Sequence, residues 1–543
     1  MRLKKDSTAQ KIRGAYYTPY ELASLIVKTI NPHQNCRYRT ILEPSCGDGI
    51  FIDALKNNCI ISHSSMDAIE IEPAEADKAR QKCSDCNNIN VINDDFFTFY
   101  EAHKNDRYDL IIGNPPYIRY QFLTPEQREI QTSILTSNGM KSNKLINAWV
   151  AFFVACIQML SENGSIAFVI PAELLQVAYA EDLRRFIVKE LGKITIITFE
   201  KLVFDVEQEV VVFIGEKTQQ RKGLRIRQLS DLSDWNKVRY EEDDFIPTTN
   251  HEDKWTKFYV SSEEIQLLER LKTNPAFTPL SNLGLVNVGI TTGDNNFFSI
   301  EKSLETEYDL GVYCRPLIGR SSHAHGVFFT EDDWKKNRNS GKKASLLDLN
   351  GYKYEDLNVG VKNYIKHGEL LKINEGYKTG IREEWYKIPS IWVPDAFFLR
   401  RNNLYPKLVI NSCNAVSTDT MHRIKFNDGV DPDLILLGYY NSVSFAFTEI
   451  CGRSYGGGVL EILPREAGNV LIARIEQLNP KKKKKLIERL DHIIRTDAEI
   501  EEALDLIDQE ILIDELNVEK EICDSCRSIW KTLQKRRINR GDL

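Results

Sequence analysis

The sequence predicts an α/β protein whose first half forms a mixed, doubly wound sheet. Over about the first 215 residues, short β-branched or apolar runs alternate with amphipathic helical patterns, as they do in βαβ units. Several of these runs end in glycine, acidic or amide residues, and open α/β sheets bind ligands at such strand ends. Beyond about residue 216, short strands are broken by glycine, proline and asparagine. A separate α+β region is therefore expected there, followed by a helical tail.

Composition excludes several classes of protein. The chain has 543 residues, of which 42% are hydrophobic and 27% charged, so we expect a globular protein of two or three domains. It has no run of eighteen or more apolar residues and no apolar signal core near the N-terminus, so a cytoplasmic protein without a membrane segment is expected. Eleven cysteines, an odd number, indicate reduced thiols. The net charge of −7 leaves room for a localised basic cleft.

The first predicted helix has a strong start signal. Thr18 is a candidate N-cap, Pro19 a first helical residue, and Glu21 the side chain that closes a capping box. Apolar residues at helical spacing then form one face: Leu22, Leu25, Ile26 and Ile30. By itself this pattern indicates a well-capped amphipathic helix.

Residues 40–55 predict a strand, a glycine-bearing turn and a helix. Gly47 and Gly49 allow the backbone to pass close to a ligand. A second short strand follows and ends near Glu70, a little over twenty residues after the turn. In a nucleotide-binding βαβ unit, that place belongs to the carboxylate that accepts ribose hydroxyls.

A third strand, at residues 90–93, precedes Asp94, Asp95 and Phe96. These residues would offer an acid and an apolar wall to an adenine ring. The Gly-x-x-x-x-Gly-Lys pattern of a phosphate loop is absent. Acids around a ribose site instead suit a cofactor that carries a cation, such as the sulfonium of S-adenosylmethionine.

The fourth strand leads into the segment that carries the predicted chemistry. Leu110, Ile111 and Ile112 form an apolar run typical of a strand buried on both faces. The tetrapeptide Asn114-Pro115-Pro116-Tyr117 follows, and its prolines make it stiff and non-helical. The Asn114 side-chain oxygen and the Pro115 carbonyl can each accept one hydrogen of a planar amine, while Tyr117 stacks on the ring that bears it. A simple turn is the alternative interpretation.

Five segments together resemble the amino-group DNA methyltransferases of the gamma order, with TaqI-type and Eco57I-type adenine-N6 enzymes as the nearest members. The segments are residues 14–21, 41–49, 69–73, 94–97 and 111–117. The resemblance implies a Rossmann-like S-adenosylmethionine-dependent methyltransferase fold, S-adenosylmethionine as cofactor, and a C-terminal target-recognition domain. It also implies a prokaryotic cytoplasm as the location.

The resemblance assigns roles to individual residues. The implied cofactor-binding residues are Thr18, Glu43, Ser45, Cys46, Gly47, Glu70, Asp95, Phe96 and Asn114. The implied catalytic residues are Asn114, Pro115, Pro116, Tyr117 and Phe204. Phe204 would meet the flipped base opposite the tyrosine, and a strand-end core residue is the alternative interpretation. Asp48 in the glycine loop is a departure from the family pattern, and the pair Asp94/Asp95 leaves an ambiguity of one position.

We expect three regions: a catalytic domain at 1–240, a recognition domain at 241–480 and a helical segment at 481–543. Residues 217–227 are polar and basic and are interpreted as a linker. Candidate contacts to DNA phosphates are Arg119, Arg320, Lys407 and Arg453. An ordinary surface cation is the alternative for each of them.

The expected function is methyl transfer to N6 of a flipped-out adenine in duplex DNA, within a restriction-modification or related defence system. The alternatives are N4-cytosine methylation and, less favoured, methylation of a glutamine amide in a protein. Because the first cofactor segment begins at about residue 14, we expect modification without cleavage and a separate endonuclease or defence protein as a partner. We expect a monomer on DNA and no metal, although the pairs Cys83/Cys86 and Cys523/Cys526 leave a structural zinc as a minor alternative.

Overall fold

The computed structural model of the protein describes residues 17–31, 38–144, 146–199, 209–220, 223–237, 245–247, 254–454 and 458–538. The chain folds into two compact units, unit 1 (Met1–Ser262) and unit 2 (Glu263–Asp542). The functional boundaries at 240 and 480 stay predictions. The helices that follow residue 480 belong to unit 2.

Unit 1 is built on one eight-stranded sheet. Its strands are β1 (Thr40–Glu43), β2 (Ser65–Glu70), β3 (Ile89–Asn93), β4 (Tyr108–Gly113), β5 (Leu160–Pro171), β6 (Lys193–Phe199), β7 (Val210–Glu216) and β8 (Gly223–Leu229). Their order across the sheet is β3-β2-β1-β4-β5-β7-β6-β8. Neighbouring strands are parallel, except that β7 is antiparallel to both β5 and β6. The prediction of a mixed, mostly parallel sheet is confirmed.

Helices connect these strands. They are α1 (Tyr20–Ile30), α2 (Ile50–Asn57), α3 (Pro73–Lys82), α4 (Phe96–His103), α5 (Pro125–Ser137), α6 (Ala148–Gln158), α7 (Glu173–Gln176) and α8 (Glu181–Glu190). The helix α6 is apolar on every side, and its residues Ala148 to Ile157 are buried, as expected of a central core helix. Leu110, Ile111 and Ile112 of β4 are each 0% exposed. The strand that carries the Asn-Pro-Pro-Tyr segment is therefore buried on both faces.

Two sequence-based expectations in unit 1 are wrong. Thr18 is not an N-cap: α1 begins at Tyr20, Pro19 occupies the N-cap position, and no side chain caps the helix. The Thr18 hydroxyl accepts a hydrogen bond from Asn114. Residues 217–227 are not simply a linker, since β8 begins at Gly223 and pairs in parallel with β6. The charged residues of β8 suit a strand at the edge of a sheet.

The described residues of unit 2 form four smaller sheets. Its strands are β9 (Phe277–Pro279), β10 (Gly284–Val288), β11 (Ser299–Ile300), β12 (Cys314–Ile318), β13 (Phe328–Phe329), β14 (Ser345–Leu347), β15 (Ala396–Leu399), β16 (Arg401–Asn402), β17 (Leu408–Asn411), β18 (Val416–Ser417), β19 (Met421–Phe426), β20 (Arg453–Ser454), β21 (Leu460–Glu461) and β22 (Leu471–Ala473). The strand orders are β10-β19-β15-β17-β13, β11-β14-β12-β18, β16-β21-β20 and β22-β9. This arrangement confirms the predicted α+β class.

The helices of unit 2 lie between and after these strands. They are α9 (Ser262–Lys272), α10 (Asn295–Phe298), α11 (Lys302–Glu307), α12 (Glu331–Asn339), α13 (Val359–Leu370), α14 (Pro432–Tyr439), α15 (Ser442–Cys451), α16 (Pro464–Gly468), α17 (Pro480–Arg495), α18 (Ile500–Ile507) and α19 (Lys520–Ile538). The long helix α19 packs against α15, with the Trp530 and Phe445 rings 5.4 Å apart. In the parts of the chain that the structure describes, no single helix is long and apolar enough to cross a membrane; α14 and α15 reach that length and composition only as a pair, bent by 80°.

Candidate functional site

Functional candidates gather where β1, β2 and β4 end. These strands are neighbours and run in parallel, so their carboxyl ends meet at one edge of the sheet. The ends of β1 and β4 lie close together: a Cβ atom added to Gly113 would be 3.5 Å from Cγ of Glu43 and 3.6 Å from Cδ of Pro44. The topology therefore brings the glycine turn, the acids and the Asn-Pro-Pro-Tyr segment together.

The predicted glycine-bearing turn follows β1 and leads into α2. Gly47 and Gly49 adopt φ values of +53° and +83°, which side-chain-bearing residues rarely tolerate. Gly49 precedes α2, and a Cβ there would lie 3.1 Å from the Ala79 Cα of α3. The positive φ and the tight approach of α3 therefore both favour glycine at position 49.

Glu70 at the end of β2 is held by the turn that it faces. Its Oε2 accepts a hydrogen bond from the Gly47 amide at 2.8 Å, and its Oε1 accepts one from the Glu72 amide at 2.9 Å. Both carboxylate oxygens are therefore oriented, and each keeps a further acceptor position. Such a preorganised carboxylate can accept the hydroxyls of a ribose.

Glu43 at the end of β1 is a buried acid, with 1% of its surface exposed. Its Oε2 atom is buried and has no hydrogen-bond partner among the described residues. Burial raises the pKa of this carboxyl well above its usual value, and the nearby acids Glu70 and Asp48 add to the effect, while Lys82 opposes it. Burial also raises the pKa of Glu70. A cationic ligand bound beside these acids would relieve their repulsion.

The raised pKa of Glu43 predicts how stability depends on pH. Because the pKa of the folded state lies above the unfolded value of about 4.3, the stabilising contribution of protonated Glu43 is complete below about pH 4 and is lost as pH rises through the folded pKa. We expect the Glu43 carboxyl to lower the Tm of the cofactor-free protein progressively as pH rises above about 4, so the Tm of Glu43→Gln should fall less, or rise more, with pH than that of the parent. Glu129→Gln, a change at an exposed site of α5, should keep the parent slope. Equal slopes for all three proteins would contradict this interpretation.

Lys82 forms an ion pair with Asp48, the acid that departs from the family pattern. Its Nζ lies 3.2 Å from Oδ2 of Asp48 in the turn and 3.2 Å from Oδ2 of Asp53 in α2. Burial alone would lower the Lys82 pKa, but these two carboxylates outweigh burial and raise it. Asp48 is therefore tolerated because α3 supplies a counter-charge, which the local sequence does not indicate.

After β3, Asp95 accepts hydrogen bonds from two residues, whereas Asp94 accepts one from the adjacent Asp95 amide, at 2.7 Å. The Oδ1 atom of Asp95 accepts a hydrogen bond from the Phe97 amide at 2.7 Å and so caps α4. Its Oδ2 accepts a hydrogen bond of 2.5 Å from Nε2 of Gln127. Phe96 is 3% exposed and packs on Phe152 with ring centroids 4.6 Å apart. Its role as a wall of an adenine pocket stays a prediction.

The Asn-Pro-Pro-Tyr segment is anchored at both ends. Asn114 donates from Nδ2 to Oγ1 of Thr18 at 3.2 Å, and its backbone carbonyl accepts a hydrogen bond from the Ser45 hydroxyl at 3.0 Å. Tyr117 is 6% exposed, and its hydroxyl donates to the Val169 carbonyl of β5 at 3.1 Å. The bond from Nδ2 to Thr18 places the Oδ1 atom on the other side of the Asn114 amide, while the Ser45 bond fixes the backbone. The tyrosine ring is fixed against the sheet.

Comparison with known proteins supports the same interpretation. The family model "Eco57I restriction-modification methylase" matches residues 48–204, and the model "Type II methyltransferase M.Eco57I, C-terminal domain" matches residues 252–512. The Type II methyltransferase M.AccI of Acinetobacter calcoaceticus is 27% identical over 475 residues, which cover 83% of each chain. M.HincII of Haemophilus influenzae is 27% identical over 258 residues, 46% of this chain and 47% of that protein.

The chain belongs to the Eco57I-like methyltransferases of the gamma class. Among solved structures, it is similar to a nuclease-deletion mutant of the Type ISP enzyme LlaGI, with a TM-score of 0.46 and 14% identity over 88% of this chain and 55% of that one. The type IIG restriction endonuclease BpuSI gives a TM-score of 0.43 with 14% identity, over 98% of this chain and 67% of that one. As a member of the family, the protein is a restriction-modification DNA methyltransferase with S-adenosylmethionine as its methyl donor.

The residues of this Eco57I-like methyltransferase fit S-adenosylmethionine. An oriented carboxylate at Glu70 suits ribose hydroxyls, and the buried oxygen of Glu43 lies among acids that suit a cation. The open glycine turn allows close approach, since among the described residues a Cβ at Gly47 would meet the Tyr17 ring alone, at 3.6 Å. Cys46 is 3% exposed, and burial raises its thiol pKa. This cysteine lines the turn as a neutral side chain.

The candidate DNA contacts of the methyltransferase lie in different surroundings. Arg119, two residues after Tyr117, and Arg320, after β12, are exposed. Lys407 is partly buried, with Nζ 5.3 Å from the centre of the Tyr405 ring, and burial lowers its pKa. Arg453 donates to Glu466 at 2.7 Å, so a phosphate would compete with that carboxylate. All four stay predictions, and Phe204 lies outside the described residues.

Sequence reasoning missed two residues that support the site, Lys82 and Gln127. The capping box of Thr124 with Gln127 is readable from the sequence as Thr-Pro-Glu-Gln before a helix. The second contact of Gln127, to Asp95, joins residues 32 positions apart and has no local signal. Within the described residues, no group of three or more histidine, cysteine or acidic side chains is arranged to hold a metal ion.

Proposed function

We propose that this DNA methyltransferase methylates N6 of an adenine that has been rotated out of the duplex. The observation that carries the proposal is the anchored Asn-Pro-Pro-Tyr segment at the carboxyl end of the buried strand β4, beside the glycine turn. An exocyclic amine inside a stacked duplex does not reach a site recessed at the edge of a sheet. The target nucleotide therefore has to leave the stack, at a cost of a few kcal/mol.

The segment can hold a planar amine at three points. Since Nδ2 of Asn114 donates to Thr18, its Oδ1 lies on the other side of the amide and can accept one amine hydrogen. The Pro115 carbonyl can accept the second hydrogen, and the Tyr117 ring can stack on the purine. Two acceptors hold the amine group out of conjugation with the ring, so that the nitrogen lone pair becomes available for attack.

The protein residues then act by positioning and by electrostatics. When bound, S-adenosylmethionine supplies an electrophilic methyl group on a positively charged sulfur. Asn114 and Pro115 hold the nitrogen in line for attack, and their oxygens stabilise the positive charge that develops on it. Burial, with Glu43 and Glu70 nearby, raises the Cys46 thiol pKa, so this thiol is a poor nucleophile and covalent cytosine chemistry is disfavoured.

The product analysis tests the proposal directly. Duplex DNA is incubated with the protein and methyl-labelled S-adenosylmethionine, digested to nucleosides and separated by mass. We expect label in N6-methyladenine; label in N4-methylcytosine would support the alternative target. A parallel incubation with cell-extract proteins tests glutamine-amide methylation, and label found only there would overturn DNA as the substrate. Sequencing of modified bases in DNA from expressing cells would identify the recognition sequence and strand.

Variants of Tyr117 should separate stacking from anchoring. Tyr117→Phe keeps the ring but loses the bond to the Val169 carbonyl, worth about 0.5–1.5 kcal/mol of folding stability, so a slightly lower Tm and a rate close to that of the parent are expected. Tyr117→Ala also loses stacking on the base, worth about 1–3 kcal/mol, and should lower capture of the flipped base. Single-turnover rates and the fluorescence of 2-aminopurine at the target position measure the two effects. Equal rates for the Phe and Ala variants would rule out stacking by this ring.

A further inference from the structure

We infer that Gln127 is a positioning residue for the cofactor, because its side-chain amide joins Asp95 to the chain that follows the Asn-Pro-Pro-Tyr segment. The amide makes two hydrogen bonds in opposite senses. Its Oε1 accepts from the Thr124 amide at 2.9 Å, and its Nε2 donates to Oδ2 of Asp95 at 2.5 Å. The inference rests on the proposed contact of Asp95 with the cofactor adenine.

The two partners determine the orientation of the Gln127 amide. A carboxylate can only accept from an amide NH2 group, and a backbone N–H can only donate to an amide oxygen. A flipped amide would place oxygen against oxygen and nitrogen against nitrogen. Glutamine is therefore suited to both contacts, whereas glutamate, the other common residue at this position of a capping box, is suited only to the contact with Thr124.

The contact completes the immobilisation of Asp95. One carboxylate oxygen is held by the Phe97 amide at 2.7 Å and the other by Gln127, so the carboxylate cannot rotate. Each oxygen retains one acceptor position for a ligand. Without Gln127, Asp95 would still cap α4, but its second oxygen would lose the donor that orients it.

The segment that contains Thr124, the second partner of the Gln127 side chain, is itself held by several hydrogen bonds. The residues between Tyr117 and α5 are held by the first turn of that helix: Arg128 donates to the Tyr120 carbonyl at 3.1 Å and to the Gln121 carbonyl at 3.1 Å. The Thr124 hydroxyl accepts from the Gln127 amide at 3.2 Å. Gln127 thus connects a segment continuous with the catalytic tetrapeptide to the acid at the end of β3.

A matched set of variants separates positioning from helix capping. Gln127→Glu keeps the capping box but removes the donor to Asp95 and places a second carboxylate beside it. Gln127→Met removes both contacts. Gln121→Glu introduces the same charge at an exposed position of the same segment and serves as the control. The readouts are the Kd of S-adenosylhomocysteine by calorimetry and the Tm of the cofactor-free protein.

We expect Gln127→Glu to melt close to the parent but to bind S-adenosylhomocysteine about 10- to 100-fold more weakly at pH 8, the range for loss of a hydrogen bond to a charged group. The charged side chain in contact with Gln127 is Asp95, which precedes α4, and the charged chain neighbours of Gln127 on α5 are Glu126 and Arg128. When the introduced carboxyl group is protonated, it can donate to Asp95 as the amide does. The affinity of Gln127→Glu should therefore recover as pH falls towards 5, a response that a purely structural role would not produce.

The outcomes are distinct. Affinity of Gln127→Glu within two-fold of the parent at pH 8, or a loss that does not recover at lower pH, would overturn the inference. A loss of the same size in Gln121→Glu would also overturn it, since the effect would then be general electrostatics. Asp95→Ala tests the underlying assignment separately: unchanged affinity in that variant would show that Asp95 does not contact the cofactor, whatever Gln127 does.

Discussion

Replacing Asn114 with alanine is expected to slow methyl transfer about 100- to 1000-fold, the usual effect of removing one preorganised polar contact to developing charge. The change removes an acceptor for the target amine and also the bond to Thr18. It leaves the Tyr117 ring and the glycine turn in place. Binding of DNA should change far less, because phosphate contacts supply most of the affinity.

Single-turnover methylation and DNA affinity measure the two quantities separately. Asn90→Ala is the control, since it removes an exposed amide from the same sheet, where Asn90 donates to Asp67 at 3.1 Å. This control should methylate at the parent rate. If Asn114→Ala methylates within a few-fold of the parent, the amine is not held by Asn114 and the proposed mechanism is wrong.

Replacing Arg537 with methionine should destabilise unit 2 by about 3–5 kcal/mol, the cost of leaving a buried charge without its partner. Arg537 of α19 is 1% exposed and donates to Glu449 of α15 through Nε and Nη2, at 2.9–3.1 Å. It also donates to the Gly458 carbonyl at 2.6 Å. Burial already raises the pKa of Glu449, and Arg537 opposes that shift.

The loss of stability in Arg537→Met should depend on pH, and its direction follows from Glu449. Without Arg537, the folded-state pKa of Glu449 rises further above the unfolded value, so the variant loses stability as pH rises and recovers part of it in acid. Denaturation in urea at pH 5 and pH 8 measures the difference. Lys535→Met, an exposed change on the same helix, should be near neutral. Arg537→Met combined with Glu449→Met should recover part of the loss, and a double variant less stable than the single one would contradict the ion-pair explanation.

Patterns within a few neighbouring residues determined much of the fold. The apolar run of β4 predicted a strand buried on both faces, and its three central residues are fully buried, because a run without polar alternation has no face to turn to water. Gly47 and Gly49 predicted a glycine-bearing turn between a strand and a helix, and in the structure both have positive φ. These features depend on local sterics and local hydrophobicity, which the sequence displays directly.

Local patterns failed where a side chain had two competing partners. Thr18, Pro19 and Glu21 together satisfied the rule for a capping box, but the Thr18 hydroxyl bonds Asn114, 96 positions away. The helix α1 begins at Tyr20, one residue later than the pattern indicates, and the fold places the Thr18 hydroxyl beside Asn114. The edge strand β8 was missed for a related reason, since its pairing with β6 was not visible in a charged stretch.

The sequence by itself determined the α/β class, the order of the cofactor and Asn-Pro-Pro-Tyr segments, and the chemistry that those residue types can support. Only the tertiary structure decided which long-range partners hold them: Lys82 for Asp48, Gln127 for Asp95 and Arg537 for Glu449. The physical reason is that hydrogen bonds and ion pairs act over about 3 Å in space. The packing of strands and helices, rather than distance along the chain, brings such groups within that range.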